Sequence, residues 1–101
     1  MKTEEGKLKD KVKAFLKERG AYYHMPVPSG YGMQTLDFVG CYRGMFFGVE
    51  TKAPGKKPTP RQEYTMNEMR KAGAWVVWGD NAPNLTALLA TQFDYWAEDI
   101  E

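Results

Sequence analysis

Apolar residues recur at helical spacing through Leu8, Val12, Phe15 and Leu16, with lysines and acids filling the positions between them. A stripe of this period predicts an amphipathic helix from Thr3 to about Arg19, with Thr3 as N-cap and Gly20 as stop. The period then changes. Ala21-Tyr22-Tyr23-His24-Met25 reads as a short strand ended by Pro26 and Pro28, and Ser29-Gly30-Tyr31-Gly32 reads as a loop. The runs Leu36 to Cys41 and Met45 to Lys52 flank a turn at Arg43-Gly44 and predict a two-stranded hairpin.

Beyond the hairpin, Ala53 to Pro60 is a loop of proline, glycine and lysine. Thr59-Pro60-Arg61-Gln62 then opens a second helix with an N-cap, a proline at the first helical position and a capping-box glutamine. That helix runs through Tyr64, Met66 and Met69 to Gly73. Trp75-Val76-Val77-Trp78 is a short apolar run after a helix, so it predicts a strand parallel to the one ending at Lys52, reached by a right-handed crossover. Asp80 to Pro83 is expected to turn, and a last helix to start near Asn84 with Leu85, Leu88, Leu89 and Phe93 on one face. The expected order is α-β-β-β-α-β-α, an α/β fold in which a small mixed sheet is flanked by helices.

If Arg43 and Gly44 form a two-residue loop, Asp37 falls opposite Glu50 on the neighbouring strand. Because side chains alternate across a strand, Lys52 then shares a face with Glu50, while Val49 and Thr51 take the other. Like charges directly across a ladder repel. A divalent metal between the two acids would relieve that repulsion. The competing reading is an ordinary hairpin with solvated charges at its ends.

At 101 residues the chain is expected to form one domain, residues 1–101. No apolar run approaches the roughly 18 residues of a membrane span, and the lysine-dotted start lacks the apolar stretch of a signal peptide, so a cytoplasmic protein is expected. Cys41 is the single cysteine, which excludes an internal disulfide and a cysteine-based zinc site. The single histidine, His24, gives triad chemistry little support. The formal charge is only +1, but it is distributed unevenly. Lys7, Lys9, Lys11, Lys13, Lys17 and Arg19 load the first helix, Lys52, Lys56, Lys57 and Arg61 follow the hairpin, and Asp94, Glu98, Asp99 and Glu101 crowd the C-terminus. A polyanion such as nucleic acid suits basic charge concentrated beside the Asp/Glu/Lys group, while most of the helix lysines taken singly read as a solvated face.

Asp37 in Leu36-Asp37-Phe38-Val39-Gly40, then Glu50-Thr51-Lys52, then the basic loop and the helix bearing Gln62, resembles the PD-(D/E)XK nuclease superfamily. Within it, the short chain is similar to the VRR-NUC branch of phage and repair nucleases. Leu36 departs from the pattern, standing where the superfamily's name-giving proline would be, and it supplies no ligand. The resemblance implies a metal-dependent DNA endonuclease, with a junction or flap resolvase as the structure-specific form. The alternative is a nucleic-acid-binding protein that keeps the fold without cleavage.

In that reading Asp37 and Glu50 hold Mg²⁺ or Mn²⁺ with the main-chain carbonyl of Thr51, a small ligand set that suits a cation which keeps several waters. Lys52 positions or activates the attacking water. A further carboxylate is expected from the first turn of the first helix: Glu5, which shares a face with Leu8 and Val12, with Glu4 as its rival. Either acid could instead simply complement the helix dipole. Gln62 is expected to serve the site, and it also has a structural role open to it as partner of Thr59. Lys56, Lys57 and Arg61 are expected to contact DNA phosphates, and Tyr31 to stack on a base or remain a surface tyrosine. Symmetric cutting of two strands implies a homodimer, with its surface drawn from Tyr22, Tyr23, Trp75, Trp78 and Trp96.

Overall fold

The computed structural model describes residues 2–27 and 35–98, so Tyr31 and its loop lie outside the described residues. Helix α1 spans Glu4–Arg19. The hydroxyl of Thr3 accepts the Gly6 N–H at 3.0 Å, and Gly20 closes the helix in the left-handed conformation, φ 75°. Strand β1 is the short run Tyr22–His24, β2 is Phe38–Tyr42 and β3 is Met45–Thr51. The turn between β2 and β3 has φ 54° at Arg43 and φ 83° at Gly44, the two positive values that a two-residue loop of the I′ kind requires. It fixes the pairing from Phe38 with Val49 through Tyr42 with Met45, the register expected from the sequence.

Helix α2 covers Pro60–Lys71 and opens with the anticipated capping box: Thr59 Oγ1 accepts the Gln62 N–H at 3.1 Å, and Gln62 Oε1 accepts the Thr59 N–H at 2.9 Å. Strand β4, Trp75–Gly79, pairs parallel with β3, so the sheet order is β1-β2-β3-β4 with one parallel pair. Helix α3, Ala82–Glu98, begins two residues before the expected start. Asn81, not Asn84, is its cap: the Asn81 Oδ1 accepts the Asn84 N–H at 2.9 Å. Pro83, read as part of a turn, sits in the first helical turn, where a missing N–H costs nothing.

Alternation along β3 divides the interior into two cores. Phe47 and Val49 face α1 and α3 and join Phe38, Leu8, Val12, Leu16, Leu85, Leu89 and Phe93. Phe93 is the hub of this side, stacked on Tyr42 at 4.5 Å and edge-on to Phe15 at 5.5 Å. On the opposite side α2 covers a smaller core of Leu36, Met66 and Val76, flanked by Met69, Ala74 and Trp78. Gly48 permits that approach, since a Cβ there would lie 2.8 Å from Leu36 Cδ1 and 2.9 Å from Met69 Cε.

The apolar stripe of α3 differs from the expected one. Leu88 is half exposed, and Trp96 is buried edge-on against Trp75. Trp96 therefore belongs to the core and leaves the set of aromatics available to a partner, whereas Tyr22 is 76% exposed. Tyr64 on α2 also points to solvent. Among the described residues, no helix is long and apolar enough to cross a membrane.

Candidate active site

Glu50 and Lys52 lie on the α2 side of β3, and Thr51 between them is directed to the α1 side. Glu50 is only 4% exposed although it is charged in isolation, so its carboxylate must find partners. It has three. Glu50 Oε1 accepts the main-chain N–H of Asp37 at 3.1 Å, Oε2 accepts from Gln62 Nε2 at 3.0 Å, and Lys52 Nζ lies 3.4 Å from Oε2. Gln62 thus makes two contacts at once: its carbonyl closes the capping box and its amide donates to Glu50.

Asp37 falls in the bend just before β2. The register sets it across from Glu50, close enough for its charge to act on the Glu50 carboxyl. The Asp37 Oδ2 turns to the end of β3 and accepts the Thr51 N–H at 2.9 Å and the Thr51 hydroxyl at 2.6 Å. Each acid is therefore anchored on the main chain of the opposite strand, Glu50 on Asp37 and Asp37 on Thr51. Thr51 meets Asp37 through its N–H and its hydroxyl, which leaves its main-chain carbonyl out of this contact.

From α1, Lys9 Nζ reaches both Glu5 Oε2 at 2.7 Å and Asp37 Oδ2 at 3.7 Å. Glu5 is thereby turned towards the site, while Glu4 is exposed and pairs with Lys7. Lys9 is the site residue that sequence reasoning missed, having placed it only among the basic charges of the helix. Its signal was its position four residues after Glu5, the spacing at which a helix brings two side chains together. Lys56, Lys57 and Arg61 are exposed and make no ion pair within the described residues, so their charges are available to a ligand.

Burial pushes the Glu50 carboxyl above its ordinary range, and the charge of Asp37 adds to the rise. The Asp37 N–H and Lys52 oppose it without cancelling it. Burial pulls the Lys9 ammonium down, but its hydrogen bond to Glu5 and the charges of Asp37, Glu5 and Glu50 outweigh that and leave it raised. A cation is thus favoured at this end of the sheet.

No three His, Cys, Asp or Glu side chains converge on one point among the described residues. The donor set is two carboxylates, and each oxygen that accepts one N–H keeps a second lone pair. Asp37 Oδ1 has no protein partner within the described residues. A hard cation that retains most of its own water fits that set, and a cation that demands a full protein cage does not.

A scan against family models and a search of curated proteins each found no match. A solved structure named "VRR_NUC domain" superposes on this chain with a TM-score of 0.76 and 24% sequence identity, covering 88% of this chain and 97% of that one. The fold is that of a VRR_NUC domain: a four-stranded mixed sheet between helices in the order α-β-β-β-α-β-α.

Proposed function

We propose that this protein is a divalent-metal-dependent DNA endonuclease, as its resemblance to the PD-(D/E)XK superfamily implies. Branched or duplex DNA is its substrate, and a junction or flap is the structure-specific form. The observation that carries this reading is the buried Glu50 carboxylate ringed by Asp37, Gln62 and Lys52 at the end of a VRR_NUC-type sheet. Nothing in the packing of the core calls for a charged group there.

Asp37 and Glu50 would hold Mg²⁺ or Mn²⁺. When bound, such an ion supplies a water acidic enough to attack at neutral pH and offsets charge on the phosphate. Gln62, fixed by its capping box, holds Glu50 in one orientation. Lys52 stands beside Glu50 with an ammonium that orients the attacking water and donates to the phosphate as negative charge builds on it. Lys56, Lys57 and Arg61 grip flanking phosphates, and two copies related by a two-fold axis present two sites to two strands. Tyr31 lies outside the described residues, and its stacking role rests on sequence alone.

A second reading, a nucleic-acid-binding protein without cleavage, draws on the absence of a third converging ligand among the described residues. Nicking of supercoiled plasmid in Mg²⁺ or Mn²⁺, set against EDTA, decides between them. Metal-dependent nicking is expected. Binding that survives EDTA, with no nicking in either metal, would establish the second reading. A panel of duplex, flap, splayed and four-way DNA then identifies the preferred substrate.

A further inference from the structure

Lys9 differs from the other lysines of α1 in its surroundings. Lys7 and Lys13 pair with acids of α1 at the surface, as does Lys2 just before it. Among the described residues, Lys9 is the lysine of α1 whose ion pair crosses to the hairpin, and its side chain is 28% exposed where that of Lys7 is 60%. Its ammonium stands between Glu5 and Asp37, within reach of one oxygen of each. Asp37 is one of the two carboxylates that the metal-site reading gives to the ion, and Glu5 is the further carboxylate expected from the first helix.

We infer that Lys9 is a tethered counter-ion of the site. Its ammonium neutralises Glu5 and Asp37 when no divalent ion is bound, and it must withdraw from Asp37 for one to bind. Lys9 is then a positioning residue that sets metal affinity and takes no part in bond breaking. This inference rests on the metal-site reading above.

The physical case is electrostatic. Asp37 Oδ2 already accepts two hydrogen bonds from Thr51, and the Lys9 ammonium lies at 3.7 Å from the same oxygen. A divalent ion on Asp37 would sit a few ångströms from that ammonium. At such separations like charges repel, and the more so where solvent access is restricted. The four-carbon stem of a lysine allows the head to swing to Glu5 alone, or out to solvent, so the withdrawal needs no backbone movement. Glu5 accordingly acts on the site through Lys9, as the group that keeps the ammonium when Asp37 releases it.

The test is calorimetric titration of Ca²⁺ into the full chain in the absence of DNA. Lys9→Gln should bind Ca²⁺ at least about tenfold more tightly than wild type, by removal of the competing charge, whereas Lys9→Arg should stay close to wild type. Made in a Glu5→Gln background, Lys9→Gln should again tighten binding relative to Glu5→Gln alone. Equal or weaker affinity in Lys9→Gln overturns the inference and leaves the metal site standing. Tightening that vanishes in the Glu5→Gln background assigns the effect to a freed Glu5 and also overturns it. Absence of Ca²⁺ and Mn²⁺ binding in wild type and every variant overturns the metal site itself, and the inference with it.

Discussion

The Gln62 amide donates to Glu50 Oε2 at 3.0 Å while its carbonyl accepts the Thr59 N–H at 2.9 Å, so one side chain ties the start of α2 to the buried acid of β3. The two ends can be separated by substitution. Gln62→Glu keeps an oxygen for the capping box but sets a second carboxylate against Glu50, whereas Gln62→Ala removes both bonds. We expect Gln62→Ala to cost about 1 kcal/mol through the cap and a further 1 to 3 kcal/mol through the lost partner of a buried carboxylate. Chemical denaturation measures this. Gln62→Glu should regain stability over Gln62→Ala only at acid pH, where one carboxyl of the new pair is protonated.

Glu50 gives the protein a pH dependence of definite sign. Its folded carboxyl is raised above the ordinary value of 4.5, so the folded state holds the proton more tightly than the unfolded chain does. Stability contributed by this group is therefore full below pH 4.5 and is lost as pH rises through the higher folded value. In metal-free buffer, Glu50→Gln should gain in Tm relative to wild type as pH increases from 4 to 8, with the gap levelling off once Glu50 is ionised. A gap that is flat, or that closes with rising pH, contradicts the burial argument.

Asp37→Asn, Glu50→Gln and Lys52→Ala should each lower cleavage by at least about a hundredfold, the scale of a lost positioned proton-transfer or charge-stabilising group. Circular dichroism should show all three folded. Asp37→Asn keeps an oxygen for Thr51, and Glu50→Gln relieves a buried charge, so neither removes packing. Cleavage at wild-type rates in any one of them removes that residue from the machinery.

Replacing Lys56, Lys57 and Arg61 with alanine should weaken DNA binding alike for all sequences. It should also flatten the plot of log affinity against log salt by roughly one unit per lost phosphate contact. Affinity measured in Ca²⁺ across a salt series tests this. The three side chains are exposed and bear no load in the fold, so Tm should hardly move. Coincident slopes would shift the DNA surface to α1, with Lys13 and Lys17 as its cations.

Local chemistry explains which features could be foreseen. Thr3, Gly20, Thr59 and Gln62 act on neighbours within one helical turn, and the Arg43-Gly44 turn sets the ladder by counting, so caps and register were legible. Asn84 is a good cap type, but so is Asn81 three residues earlier, and the stretch from Asp80 to Pro83 reads as a turn from its residue types although α3 already begins within it. The same holds for Leu88 and Trp96, where helical spacing permits either residue on the buried stripe and contact with Trp75 decides. Within the site, the residue types Asp37, Glu50, Lys52 and Gln62 were readable. The wrapping of Asp37 onto Thr51 and the reach of Lys9 were not, because both depend on side-chain directions at the junction of three elements.

The tip of the β2–β3 hairpin carries a consequence for how this chain can change length. Arg43 and Gly44 are solvent-facing and remote from every charged group of the site, the kind of place where an insertion is usually tolerated. Here the spacing of the tip decides which face of the sheet each residue of β3 occupies. One added residue that slipped the ladder by one place would send Glu50 and Lys52 towards α1 and α3, and would turn Val49 and Thr51 to the side of Gln62. A slip of the ladder by two places preserves the parity of the strand and a slip by one inverts it. A surface loop with no chemistry of its own thus sets, through the ladder it closes, which side chains of β3 reach the site.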